Sequence, residues 1–375
     1  MTQRRRLLYL LNGFDAGGAE RAPGLLLAGG AFDGFDVDVV ALVRGAGCHM
    51  EHLQRMASRV ETLLGDRRLR PWHVLAAERA LRPRLGGYDA AVLSLPQANL
   101  AGRFALARLE QRPLVYSFHH NTHFSNPAYG PMFRATAGLV DGVVADSLGT
   151  AEAAAKLYGR QPPAASILPL VQFAERHPQP ARPWTPGRPF RLVTAGRLTR
   201  VKRQAALIEA VARLQAQGRD VRLTIFGDGP RRAALSQQVA RAGVAARVVL
   251  SGHSDDWLKS EADAFVLSSR HEGLCIVALE AMHRGWPVIA PAVGELPRHA
   301  AAGALHLLPS AGGAAVAKAI ADLMDAPQRL YAMRAAGIDY ANRQYGATAV
   351  RDAYATFNRR LHAELAQRAA RQGLA

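Results

Sequence analysis

The chain has 375 residues, 49% of them apolar and 21% charged, which excludes a disordered or fibrous chain and suits two cores of about 150–200 residues each. Its two cysteines, Cys48 and Cys275, are far apart and lack a second ligand pair, which argues against a disulfide framework or zinc knuckle and for a reducing compartment. The 47 Lys+Arg against 30 Asp+Glu, a formal +17, attract polyanions without choosing among nucleic acid, anionic lipid and phosphorylated substrates.

In chain order, Arg4-Arg5-Arg6 precede an apolar run at 7–11 that stops at Asn12-Gly13. That run is too short for the core of a secretion signal and reads as a first buried strand. Similar runs follow at 37–42, 90–95, 114–118 and 142–145, then at 191–195, 221–226, 248–250, 264–267 and 287–290. Short, continuously apolar strands separated by helical periods indicate parallel sheets covered on both faces, a doubly wound α/β pattern twice over. Between the two sets, residues 175–189 hold five prolines, which exclude helix and central strand. The expected division is a first domain at 1–173, a hinge at 174–190, a second domain at 191–345 and a terminal segment at 346–375. In that last segment Tyr354, Phe357, Leu361 and Leu365 recur at helical spacing among arginines, an amphipathic helix expected to cross back onto the first domain. No stretch approaches the roughly 18–20 apolar residues of a membrane span, so the chain is not expected to be integral.

The most informative stretch is a strand at 265–269 running through His271-Glu272-Gly273-Leu274-Cys275 into a helix at 276–284, which Gly285 terminates. The amides of Gly273 to Ile276 fall at the helix N-terminus, where they and the dipole favour a phosphate or sugar oxygen. Glu272 projects from the loop and Glu280 sits roughly 6 Å along the helix axis from its start, so two carboxylates sample different ends of one ligand. Upstream, a strand leads into Gly196-Arg197-Leu198-Thr199-Arg200-Val201-Lys202. A glycine with two cations five residues apart suits a diphosphate, each contact contributing roughly 1.5–3 kcal/mol. A third strand ends in Phe226-Gly227-Asp228-Gly229-Pro230, with Gly227 and Gly229 where a sheet edge admits a ligand.

In this order and spacing, and with Ala281-Met282 and Gly285-Trp286-Pro287-Val288-Ile289-Ala290, these motifs resemble the C-terminal domain of family 4 retaining glycosyltransferases. The resemblance implies the GT-B fold: two Rossmann-like doubly wound domains, an acceptor-binding one at 1–173 and a nucleotide-sugar-binding one at 191–345, facing across a cleft that holds the active site. It implies that Arg197 and Lys202 hold the donor diphosphate, with Gly196 beside them. Glu272 contacts the donor sugar, Glu280 the ribose hydroxyls, and amides of Gly273, Leu274 and Cys275 the sugar or phosphate oxygens. Gly17-Gly18-Ala19-Glu20-Arg21 is similar to a signature of bacterial members whose glycine loop, here Gly17 and Gly18, lines the cleft; Pro23 and Gly24 are expected to interrupt the helix that follows. The strand ending in His119-His120 matches a family position where one histidine lies beside the reacting sugar, a role carried to His119 with His120 as substitute. Residues 141–147 resemble the family's serine-ended strand, whereas the asparagine usual after Ile167 is absent and no role is assigned there.

Other features fit blander roles. Asp36-Val37-Asp38 spells a metal-binding triplet but alternates within a strand, and no metal or cofactor is expected beyond the nucleotide-diphosphate sugar itself, since two cations and helix amides can neutralise the leaving group. Asp255-Asp256 read as a solvated helix start. The basic segment 67–82, with Trp72, Val74, Leu75 and Leu81, either docks on anionic lipid or is a solvated helix packed by those residues. The expected activity is retaining transfer from a nucleotide-diphosphate sugar, UDP favoured over GDP, to a hydroxyl of a lipid-linked saccharide, lipopolysaccharide or polysaccharide. Retention follows from the resemblance, since no carboxylate pair is placed to flank an anomeric carbon. The chain is expected in the cytoplasm, peripheral to the inner face of the membrane. The rivals are an epimerase or hydrolase on the same fold and, from +17 alone, a nucleic-acid-binding protein; no nucleic-acid module is recognisable and no such partner is expected.

Overall fold

The structure, a computed structural model, describes residues 4–15, 18–66, 68–70, 72–120, 124, 127–159, 163–174 and 184–371. The chain divides into two compact units, Met1–Leu170 with Thr348–Ala375, and Val171–Ala347.

In the first unit seven parallel strands, β1 (Arg5–Leu11), β2 (Phe35–Ala41), β3 (Arg59–Thr62), β4 (Ala90–Ser94), β5 (Leu114–His119), β6 (Gly142–Ala145) and β7 (Ala165–Ile167), lie in the order β3-β2-β1-β4-β5-β6-β7. The strand period of two splits β1 between two cores. Leu7, Tyr9 and Leu11 enter one, Leu8 and Leu10 the other, which is why the run is apolar without alternation. The helix Ala347–Arg371 closes the first of these cores with Tyr354, Phe357, Leu361 and Leu365. Phe357 meets Tyr116 edge to face at 5.1 Å, and the Tyr116 hydroxyl donates to Glu364 at 2.6 Å. Asp38 is a strand residue: 4% exposed, it accepts from Arg6 at 2.8 Å and from the Tyr88 hydroxyl at 2.7 Å.

One expectation fails in this unit. The helix Gly18–Ala28 runs through Pro23 and Gly24 without interruption. Pro23 is the sixth of its eleven residues, so the missing N–H leaves the first-turn carbonyl of Ala19 without its helical donor, while Ala22 and Leu26 are fully buried and hold the segment down. In the basic segment, the helix His73–Leu85 buries Val74, Leu81 and Leu85 and leaves Trp72 64% and Leu75 59% exposed. No helix among the described residues is long and apolar enough to cross a membrane.

The second unit holds β8 (Phe190–Ala195), β9 (Val221–Phe226), β10 (Val248–Gly252), β11 (Ala264–Val266), β12 (Val288–Pro291) and β13 (Leu305–Leu308), all parallel, in the order β10-β9-β8-β11-β12-β13. Its β8 again feeds two cores, Leu192 to one and Val193 with Ala195 to the other. Strand order reverses between β1 and β4 in the first unit and between β8 and β11 in the second. At such a switch point the loops leaving the carboxyl ends part and leave room for a ligand.

Candidate functional site

The strands β9, β8 and β11 are neighbours, so the turns that follow them stand side by side at one edge of the second unit's sheet. Main-chain bonds stitch the first two together: Gly196 N–H donates to Phe226 at 3.0 Å and Leu198 N–H to Asp228 at 2.9 Å. Gly227, at φ +127°, also has a packing task. A Cβ there would lie 2.1 Å from the Gly196 carbonyl oxygen, so the glycine lets the two turns stack. Gly229 N–H is capped by the Asp228 carboxylate at 2.7 Å.

Beside these turns opens a cavity of about 410 Å³. Of the expected residues, Gly196, Arg197, Gly227 and Glu280 line it. So do Phe226, His253, Ser254, Asp255, Trp257 and Val277, which were not singled out as site residues from the sequence. An apolar wall with a few polar groups suits a small organic ligand. The signal for His253 to Asp255 was their position after β10 at the same sheet edge. Asp255 and Asp256 precede a single 3-10 turn, Trp257–Lys259, not the helix expected there.

Lys202 and Glu272 form a bidentate ion pair, Nζ to the two carboxylate oxygens at 2.7 and 2.9 Å, with the Glu272 side chain only 8% exposed. The loops that carry them are fixed to each other. Arg270 N–H donates to Val201 at 2.8 Å, and the Ser268 hydroxyl donates to the carbonyls of Arg203 at 2.9 Å and Lys202 at 3.2 Å. Glu272 does not cap the following helix, Ile276–Arg284; Cys275 occupies the N-cap in the left-handed region at φ +59°. The amides of Gly273, Leu274, Cys275 and Ile276 donate to no protein acceptor among the described residues. The side chains of Leu274 and Cys275 are buried in the core, so what these residues offer a ligand is main-chain N–H at a helix N-terminus. Burial also pushes the Cys275 thiol well above its usual range, which makes it a packing group.

This loop rests on residues that sequence reasoning missed. A Cβ on Gly294 would come within 2.4 Å of the Gly273 carbonyl oxygen, and Glu295 N–H donates to that oxygen at 3.1 Å. His299, fully buried, reaches the Leu274 carbonyl with Nε2 at 3.4 Å and the Tyr340 hydroxyl with Nδ1 at 2.8 Å. A carbonyl can only accept, so Nε2 carries the proton and the ring is neutral; burial lowers its pKa to about 4. These residues act through backbone contacts from 20 or so positions downstream and belong to none of the motifs that the sequence displays.

The remaining expected residues belong to the first unit. Gly17 lies outside the described residues, and Gly18 opens the helix Gly18–Ala28. His119 ends β5 at 4% exposure. Its Nε2 lies 2.9 Å from the Ser117 hydroxyl and 3.0 Å from that of Tyr158. The Ser117 oxygen already accepts from Asn99 and from Arg103, both at 2.8 Å, so its own proton goes to His119. The imidazole is therefore neutral, protonated on Nδ1, and its pKa is held well below the usual range by burial first, then by the Arg103 and His120 charges. Arg103 is itself fully buried and meets no carboxylate among the described residues; six oxygens surround it, one each on Asn99, Ser117, Phe133 and Tyr158 and two on Thr136. His120 turns to the Ser94 hydroxyl at 2.7 Å, and burial lowers its pKa to about 3.

Comparison with known proteins matches each unit separately. Residues 16–170 fit the family model for Glycosyltransferase Family 4 and residues 178–342 that for Glycosyl transferases group 1. The 2-deoxystreptamine glucosyltransferase of Streptomyces kanamyceticus is 33% identical over 156 residues, 40% of each chain. The lipopolysaccharide core biosynthesis glycosyltransferase LpsE of Rhizobium meliloti is 39% identical over 101 residues, 26% of this chain and 28% of LpsE. The matched stretches thus span less than half the length of these relatives. Anabaena Alr3699/HepE in complex with UDP superposes with a TM-score of 0.72 at 20% identity, covering 96% of this chain and 100% of HepE. With both halves matched, one family to each unit, the chain belongs to the family 4, group 1 glycosyltransferases and has their two-sheet GT-B fold.

Proposed function

We propose that the chain is a retaining glycosyltransferase that binds a UDP-sugar in the second unit and moves the sugar to a hydroxyl of a lipid-linked saccharide, lipopolysaccharide or polysaccharide. The observation that carries this reading is the Lys202–Glu272 pair set next to the undonated amides of Gly273 to Ile276. Arg197, Lys202 and those amides would neutralise the diphosphate as it leaves, which does without a metal ion. Glu272, released from Lys202 by the arriving phosphates, would accept from sugar hydroxyls, and Glu280, at the cavity of about 410 Å³, from the ribose. The leaving phosphate would take the acceptor's proton on the same face, so the anomeric configuration is kept. His119 would meet the reacting sugar as a neutral hydrogen-bonding group. UDP is supported by the HepE complex and a saccharide acceptor by the name of the lipopolysaccharide core relative LpsE. The exposed Trp72 and Leu75 on a basic helix support peripheral docking on the anionic inner face of the membrane.

Donor turnover with acceptor in Lys202→Ala and Glu272→Ala tests the site: both are expected to lose most transfer, and near-normal rates in both would overturn it. Incubation with donor alone separates the rival reading, because release of an epimerised sugar nucleotide without acceptor is an epimerase's product.

A further inference from the structure

A second cavity, of about 380 Å³, lies in the second unit and shares no lining residue with the first. Thr199, Arg200, Arg203, Gln204, Arg231 and Arg270 form its polar wall. None of these four arginines has an ion-pair partner among the described residues. The one carboxylate in the lining, Glu209, pairs with Arg213 outside it at 2.9 Å. Four guanidiniums against one carboxylate that is already paired leave the wall with a net positive charge, which an anion between them would offset. The cavity also meets the N-terminus of the 13-residue helix Gln204–Ala216, whose N-cap, Arg203, provides no side-chain cap, so the helix dipole adds to the same field. Gln204 is 4% exposed; its Nε2 donates to the Arg197 carbonyl at 3.0 Å, while its Oε1 has no donor. That oxygen is buried behind the cavity wall and not open to it.

We propose that this cavity is a binding site for a phosphate-bearing ligand, most simply a sugar phosphate, separate from the donor site. The arginines take the phosphate, for which their planar donor forks are suited. The ligand is either a phosphorylated part of the acceptor or a free anion. Both share the phosphate, and both would touch the loop that carries Lys202.

The test is calorimetric titration of the full chain, saturated with UDP, with glucose 6-phosphate and, in a second arm, inorganic phosphate. Wild type is expected to bind, Arg231→Ala/Arg270→Ala to bind at least about tenfold more weakly, and both to hold UDP within twofold of each other. Equal binding by the double variant, or binding that saturating UDP and Lys202→Ala both abolish, overturns the proposal, the latter because the probe then occupies the donor site. Glucose 6-phosphate binding more tightly than phosphate assigns the anion to a saccharide; equal affinities assign it to a free anion, and either result upholds the site. Should the double variant not fold, Arg270→Gln alone, at an exposed position, is expected to weaken binding by about threefold and no change overturns the proposal. A protein that does not bind UDP sinks the function proposed above and not this site, which is then titrated without UDP, where Lys202→Ala retains binding and Arg231→Ala/Arg270→Ala loses it.

Discussion

Lys202→Ala separates what the ion pair does for the fold from what it does for the ligand. The lysine gives Glu272 two charge-assisted hydrogen bonds, at 2.7 and 2.9 Å, and leaves that carboxylate 8% exposed. Removing it strands a mostly buried acceptor, a cost of about 1–3 kcal/mol, which lowers the melting temperature by several degrees. The donor then loses one cation-to-phosphate contact, about 1.5–3 kcal/mol or a 10- to 150-fold weaker UDP complex. Uridine has no phosphate and is expected to bind within twofold of wild type. Glu272→Gln makes the complementary change, because it keeps the side-chain shape and frees Lys202. UDP is then expected to bind as tightly as before or more so, while the extra affinity of UDP-sugar over UDP falls. Calorimetric titration of uridine, UDP and UDP-sugar at one ionic strength reads all of these. UDP affinity unchanged by Lys202→Ala, or uridine affinity falling as far as that of UDP, refutes the assignment.

Other consequences follow from the same geometry. Gly227→Ala forces a Cβ to within 2.1 Å of the Gly196 carbonyl oxygen and is expected to cost about 3 kcal/mol or more by urea unfolding. Gly218→Ala, also at positive φ but with nothing within 4 Å, is expected to cost only about 1 kcal/mol; equal costs would contradict the stacking role. Arg103→Met leaves the Phe133 carbonyl and Asn99 side chain without their donor. It is expected to destabilise by about 3 kcal/mol or more, and a change under 1 kcal/mol would show that the network is not needed. For pH, His299 has a folded pKa of about 4 against 6.5 unfolded. Above pH 6.5 it is neutral in both states. Between 6.5 and 4 only the unfolded chain takes up the proton, so stability falls with pH, by about 2 kcal/mol at pH 5 from this residue alone. His119 and His120, also shifted down, act with the same sign. His299→Asn is expected to flatten the pH 7-to-5 slope, and an unaltered slope would contradict a buried neutral imidazole.

Most strands legible in the sequence were buried on both faces; the edge strand β10 was read from its apolar run Val248-Val249-Leu250 although only Val248 is buried. β3, β7 and β13 escaped because each is an edge strand or nearly so, short and partly exposed: Arg59-Val60-Glu61-Thr62 and Ala165-Ser166-Ile167 have no buried residue, and Leu305-His306-Leu307-Leu308 has two. Without full burial nothing demands a continuous apolar run. Pro23 misled for the opposite reason, since tertiary burial of Ala22 and Leu26 overrode a local helix-breaking signal. The turns after β8, β9 and β11 were readable because a ligand-facing turn needs glycines and charges at fixed offsets from a strand end. Gly294, Glu295 and His299 were not, because a residue that supports another's backbone can stand anywhere in sequence and needs no characteristic neighbours.

The central claim is that the cavity flanked by Gly196, Arg197 and Glu280 holds a nucleotide-diphosphate sugar. Thermal unfolding of the full chain against a panel of UDP-, GDP- and ADP-sugars, with Arg197→Ala/Glu280→Ala as the control, tests it most directly. At 100 times its dissociation constant one of these donors, expected to be a UDP-sugar, is predicted to stabilise the wild type by about 2.7 kcal/mol and to leave the double variant unmoved. A panel in which no nucleotide sugar raises the midpoint, or one that stabilises both proteins equally, would contradict the account.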